Sequence, residues 1–284
     1  MRRVTTKREL RAALTAGNNE RRVLVPTMGA LHAGHAALLR QARELAGSEG
    51  VVVASVFLNP TQFDNAGDLS AYPRTPEEDV NLCAECGVDI LFMPEPQEMY
   101  RADRSLCVEE TQLSRVLCGA SRPGHFAGVC LVVSKLFNLV QPTDAIFGKK
   151  DYQQLAILRR MVRDLDFPIV LHGADIVREK DGLAVSSRNV RLTPEHRAAA
   201  PAIYASLLAA AESFARGASP VQVGGVVRAA LERLHGVRVD YAELVDAETL
   251  QPYAAGSSRP ALLAVAAWFG EVRLIDNIEL PLLS

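Results

Sequence analysis

Through the first 176 residues of this 284-residue chain, short β-branched runs alternate with longer stretches of helical periodicity. The apolar runs, such as Val51–Leu58 (VVVASVFL), are nearly continuous rather than alternating with polar residues. A strand that is apolar on both faces needs cover on both faces, which is the signature of a parallel sheet covered by helices. The runs predict strands at Arg22–Val25, Val51–Leu58, Asp89–Met93, Ala145–Phe147 and Pro168–Ile176. Helical periodicity between them predicts Ala33–Ala46, Pro76–Cys86, Val129–Leu139 and Tyr152–Leu165.

From about Val177 the texture changes. A polar segment, REKDGLAVSSRN, leads into two alanine-rich helices. Thr193-Pro194 and Ser219-Pro220 each read as an N-cap followed by proline at the first helical position. VDYAELVDA, ALLAVAAWF and EVRLIDNI then read as three antiparallel strands, the last two joined near Gly270. The expected class is α/β: a Rossmann-like parallel sheet with helices on both faces in residues 1–176, and a smaller α+β domain in 177–284. Net charge is −2, so the chain carries no global electrostatic case for nucleic acid or an anionic membrane. The start, MRRVTTKREL, lacks the apolar core of a secretory signal. No apolar run approaches the roughly 18 residues of a spanning helix. Five cysteines, including Cys83 and Cys86 in a lone CAEC without a second pair, read as ordinary thiols suited to a reducing cytoplasm.

In an α/β sheet, ligands lie beyond the carboxyl ends of the strands, where helix N-termini point backbone N–H groups outward. The loop PTMGALHAGH joins the strand ending at Val25 to the helix beginning at Ala33, so it occupies such a crevice. His32 and His35 share one face of the first helical turn, and Gly29 and Gly34 permit close approach to the backbone. Three readings compete for the histidines: a metal pair, a helix cap, or a phosphate clamp at the positive end of a helix. The spacing is not that of a zinc helix and no cysteine or carboxylate adjoins it, while the chain has no P-loop to take the phosphate role. The clamp is favoured. A clamp on ATP needs cations for charge developing on the α-phosphate and pyrophosphate. FGKKDYQQL places Lys150 at the end of another strand, and VSSRN places Ser186, Ser187 and Arg188 in the polar segment where a mobile lid belongs. Taken singly, these are a solvated helix start and a turn.

Together with FLNPTQF, DLSAYPRTPEED and RPGHFAGV, these blocks resemble the pantoate–β-alanine ligase (pantothenate synthetase) family, within the wider H-x-G-H nucleotidyltransferases. The order and spacing match from Pro26 to Asn189, and VDYAELVD and LIDNI extend the likeness more loosely. Such enzymes use ATP to turn the pantoate carboxylate into pantoyl adenylate, releasing pyrophosphate, and the β-alanine amine then displaces AMP.

Carried onto this sequence, the resemblance implies an ATP site at Met28, Gly29, Ala30, Leu31, His32, Ala33, Gly34 and His35, with His35 as catalytic acid. Gly148, Lys149, Lys150 and Asp151 add a second ATP segment, Lys150 facing the α-phosphate and Asp151 the ribose. Val177, Val185, Ser186, Ser187 and Arg188 complete it. Gln62 and Gln154 would hold pantoate, and Gln62 the β-alanine as well. The family's acidic pair falls on Glu78 and Asp79. Thr75 and Glu78 also form a potential capping box, so Asp79 is the expected magnesium ligand, directly or through water. Valine at 185 and lysine at 149 depart from the methionine and glutamate frequent in the family. The resemblance further implies a homodimer, and the thiols and the lack of a secretory signal a cytoplasmic one.

Overall fold

The computed structural model describes residues 1–15, 21–63, 66–254 and 256–280. They divide into two compact units: Met1–Ser114 with Arg122–Lys149 and Gln154–Asp175, and Arg115–Ser121 with Lys150–Gln153 and Ile176–Ser284. The second unit therefore takes two short segments from the middle of the chain.

In the first unit, β1 (Arg2–Val4), β2 (Arg22–Thr27), β3 (Val51–Val56), β4 (Ile90–Phe92), β5 (Asp144–Gly148) and β6 (Val170–Ala174) form one parallel sheet. Its order is β1-β4-β3-β2-β5-β6. Along the chain the helices are α1 (Lys7–Thr15), α2 (Ala33–Ala46), α3 (Ala66–Ser70), α4 (Pro76–Glu85), α5 (Pro96–Met99), α6 (Cys118–Ser121), α7 (His125–Val140) and α8 (Tyr152–Asp164), of which α6 and the first two residues of α8 belong to the second unit. Both faces are covered, as the continuous apolar runs require. Val23 and Val25 of β2 and Val52 and Ala54 of β3 pack in one cluster with Ala36, Leu39 and Ala42 of α2. Leu24 and Val53, pointing the other way, are fully buried too.

β2 runs two residues beyond the expected end, through Pro26 and Thr27. A proline is tolerated there because β5 pairs with β2 only at Val23 and Leu24, leaving that flank of Pro26 outside the ladder. β1 and α1 were not anticipated. In β1 only Val4 is buried among two exposed arginines, a pattern with no periodicity to read. The strand order reverses direction between β2 and β5, so the loops leaving those two strands flank the topological switch point of the sheet.

The second unit is built on an antiparallel sheet, β7 (Val237–Asp246), β8 (Ala261–Phe269) and β9 (Val272–Leu280) in that order. Helices α9 (Pro194–Ala199), α10 (Ala202–Ala215) and α11 (Pro220–Leu231) complete its core. Thr193 accepts the His196 N–H at 3.2 Å, and Ser219 forms a capping box with Gln222. Gly270, at φ +59°, makes the β8–β9 turn. One expectation needs correction: α9 and α10 run on as Pro194–Ala215, 22 residues apolar and long enough to cross a membrane by length and composition. Alanines, with few charges among them, account for this. Ile203, Leu207, Ala210 and Phe214 face the core of the unit, so the stretch serves as a core helix.

Candidate active site

His32 is the N-cap of α2, and its Nδ1 accepts the Gly34 N–H at 3.1 Å. The His35 ring reaches back, its Nδ1 accepting the His32 N–H at 3.3 Å. The two rings lie 4.1 Å apart. The histidines are thus a reciprocal cap, the reading set beside the clamp above. The cap also has a chemical consequence. With Nδ1 accepting, each neutral ring carries its proton on Nε2, so the ring edges remote from the helix are hydrogen-bond donors. Gly34 is needed for this arrangement itself, since a Cβ there would sit 2.9 Å from the His32 ring.

The loop before the cap is held by Asp79. Gly29 has φ +88° and Ala30 +49°, and the turn directs the N–H groups of Ala30 and Leu31 onto the Asp79 carboxylate at 3.1 and 2.7 Å. A side chain at Gly29 would meet Asp79 and Val56. Thr75 Oγ1 donates to the same carboxylate at 3.1 Å and makes no cap bond to its own helix. The expected Thr75–Glu78 capping box is therefore absent: the threonine hydroxyl turns to Asp79, one turn further on. Asp79 itself is 2% exposed with both oxygens engaged, which makes it the anchor of the loop and a poor fit for a direct metal ligand.

Gln62 ends a 3-10 turn, Pro60–Gln62, that rests on α7. Gly128 allows this, because a Cβ would fall 2.3 Å from the Thr61 carbonyl oxygen. Asn59, 1% exposed, donates to Gln62 Oε1 at 3.0 Å and to the Gly128 carbonyl at 3.1 Å. Its own Oδ1 accepts the Tyr100 hydroxyl at 2.8 Å. With Oε1 occupied, the Gln62 amide presents its NH₂, 2.9 Å from Met28 Sδ. The first unit thus brings Gln62 against the loop that carries the histidines. Sequence reasoning did not single out Asn59 and Tyr100 as site residues; Asn59 stood only as a member of the FLNPTQF block.

Beyond β5 the chain carries two doublets, Lys149-Lys150 and Gln153-Gln154. Lys149 pairs with Asp175 at 3.0 Å. Among the described residues Lys150 has only a 4.0 Å contact with Asp151, and its side chain is 20% exposed. Gln153 is buried, accepting the Cys118 N–H at 3.0 Å and donating to the Val116 carbonyl at 2.6 Å. Gln154 is half-buried and makes no side-chain hydrogen bond among the described residues. In each pair the fold uses the first residue and leaves the second. Gly148, Lys149 and Gln154 belong to the first unit, Lys150 and Asp151 to the second.

The second unit also contains Val177, Val185, Ser186, Ser187 and Arg188, all half-buried. Val177 and Val185 close a small hairpin through a 2.9 Å bond from the Val185 N–H to the Val177 carbonyl. Ser186 Oγ accepts the Arg188 N–H at 3.3 Å, shaping the serine–arginine turn. Arg178 stacks on Tyr204 and pairs bidentately with Asp276 at 2.6 and 3.0 Å, while Arg197 bridges Glu179 and Asp181. Cys83, Cys86 and Cys130 are buried free thiols, and burial pushes Cys83 and Cys130 up to about 12.

A family model described as Pantoate-beta-alanine ligase matches residues 2–279. The pantothenate synthetase of Akkermansia muciniphila is 61% identical over 282 residues, covering 99% of this chain and all of its own. The crystal structure of pantothenate synthetase from Thermus thermophilus superposes with a TM-score of 0.91 at 48% identity, over 99% of this chain and 100% of that one. The pantoate–β-alanine ligase of Francisella tularensis, complexed with beta-gamma ATP and β-alanine, gives 0.79 at 29% identity over 98% and 97% of the two chains. With a family model spanning nearly its whole length and a relative this similar, the chain belongs to the pantoate–β-alanine ligase family.

Proposed function

We propose a division of labour among the residues of this ligase. The enzyme joins pantoate to β-alanine at the expense of ATP, giving pantothenate through pantoyl adenylate, AMP and pyrophosphate. In the first step a pantoate carboxylate oxygen attacks the α-phosphorus while the bond to the β-phosphate breaks. His32 and His35 receive the phosphates through Nε2–H, at the positive end of α2, with His35, the expected catalytic acid, donating its hydrogen bond to the charge that develops there. Gly29–Leu31 and Gly148–Asp151 cradle the nucleotide, Asp151 at the ribose, and Val177 with Val185–Arg188 completes the ATP site. Lys150, Ser186, Ser187 and Arg188 stabilise charge on the α-phosphate and leaving pyrophosphate. Gln62 donates its NH₂ to pantoate and to β-alanine, and Gln154 holds a pantoate hydroxyl. In the second step the amine attacks the acyl carbon and AMP leaves.

The observation that carries this reading is the reciprocal cap at the switch point, which fixes two imidazoles as Nε2 donors. The half-buried, unengaged Gln154 beside a committed Gln153 supports it. In this reading the first unit is the ATP- and pantoate-binding domain, and the second, Ile176–Ser284 with Arg115–Ser121 and Lys150–Gln153, serves as the lid that shields the adenylate from water. Magnesium would accompany the ATP phosphates and offset their charge, and Asp79, whose oxygens hold the loop, would meet it through water. The enzyme works in the cytoplasm as a homodimer.

The test is ATP–pyrophosphate exchange with magnesium and pantoate but without β-alanine. Wild type should exchange only with pantoate present, and His35→Ala and Gln154→Ala should lose it. Exchange that ignores pantoate would transfer the chemistry to another nucleotidyl acceptor.

A further inference from the structure

The motif LIDNI lies on β9, and its polar residues are not explained by the core that the strand helps to build. Asp276 is 3% and Asn277 5% exposed. Polar groups buried so deeply are costly unless they bond to something, so their partners matter. On a strand, neighbouring side chains point to opposite faces, and here the two faces grip different segments of the second unit. Asp276 shares the face of Leu274 and Leu280 and holds Arg178 at the base of the hairpin that leads into Val185–Arg188. Asn277 lies on the other face, where its Nδ2 donates to the backbone carbonyl of Lys150 at 3.0 Å. On the same face the Tyr152 hydroxyl donates to Glu279 at 3.1 Å, and Arg273 pairs with Asp240 at 2.7 Å and touches Cys118 at 3.5 Å.

We propose that β9 is the positioning strand of the reaction, with Asn277 the residue that fixes the backbone of Lys150. The inference rests on the role given above to Lys150. Lysine carries its charge on a flexible four-carbon stem, so its reach is set mainly by where its Cα is held. Among the described residues the side chain has only the distant Asp151 contact to steer it. The backbone hold from Asn277, backed by Tyr152–Glu279 on the adjoining turn, supplies what the side chain lacks. Asn277 acts on the reaction through the backbone of Lys150. A displacement of about 1 Å at such a cation costs on the order of 10²-fold in rate.

The experiment uses the full-length enzyme and Asn277→Ala, read by pantoate-dependent exchange and by amide hydrogen exchange. The kcat should fall by about ten- to a hundredfold while KM for pantoate stays within about twofold. The peptide 148–155 should lose protection, and peptides from β8 should not. Asn277→Asp, equal in size but with an acceptor facing the Lys150 carbonyl, should repeat the loss and serves if the alanine variant does not fold. Unchanged kcat in a folded variant would overturn the proposal, as would a loss of protection spread equally over β8. Lys150→Ala separates the two levels. If it keeps full exchange, the role of Lys150 fails; if it is inactive while Asn277→Ala is not, only the positioning inference fails.

Discussion

The loop Met28–His35 and the segment Lys149–Gln154 both carry residues proposed to act on the nucleotide, and they are built on opposite plans. In the loop, the fold employs the residues that chemistry would want. His32 and His35 cap α2 through Nδ1, and the Ala30 and Leu31 amides are spent on Asp79. In the segment, structural and chemical duties fall on alternate residues, Lys149 and Gln153 being tied to the protein and Lys150 and Gln154 held back. The difference implies that stability and activity are coupled in the first region and separable in the second.

The largest effect that would sharpen this contrast is Lys150→Ala. Pantoate-dependent exchange should drop by about 10²- to 10³-fold with the melting temperature unchanged. His35→Ala should lose activity on a similar scale and also stability, about 1 kcal/mol for a lost cap bond, read by denaturant titration. Equal stability losses in the two variants would break the comparison. Next come the glutamines: Gln154→Ala should weaken pantoate use with little change in melting temperature. Gln153→Ala should destabilise by about 1–3 kcal/mol, because it strands the Cys118 N–H and the Val116 carbonyl.

A smaller effect lies at the far end of the sheet and has nothing to do with the site. Burial alone would raise the carboxyl of Asp144, but bonds from Arg21, His172 and Thr143 outweigh it and hold the group below its ordinary range. A carboxyl lowered on folding stabilises fully above its unfolded value near 3.9, and that contribution disappears as pH falls through the folded value. Wild type should therefore lose stability below about pH 4 more steeply than Asp144→Asn, measured by melting temperature against pH. Least of all, Lys149→Ala should change exchange by under about threefold and stability by under about 1 kcal/mol, since its partner Asp175 is 90% exposed.

Local signals were enough for much of the fold. The two-sided apolar runs announce a covered parallel sheet, and α2 spans Ala33–Ala46 as its periodicity predicts. Thr193 and Ser219 cap the helices they precede. The strand β1 was illegible because three residues with one buried side chain carry no period. Thr75 followed by Glu78 spells a capping box, yet the hydroxyl goes to Asp79, since a buried carboxylate offers a stronger acceptor bond than a helix end open to water.

By itself the sequence determined the class of sheet, the histidine loop at a strand end and the doublets KK and QQ. The family resemblance named Lys150 and Gln154, and only the tertiary structure showed that their neighbours Lys149 and Gln153 are tied to the protein. It also assigned Asp79 to the loop and Asn277 to the Lys150 carbonyl. The reason is physical. Periodicity and capping act over one to four residues, whereas these choices depend on partners as distant as Asp79 from Ala30, or Asn277 from Lys150. Such partners exist only once the chain has brought them together.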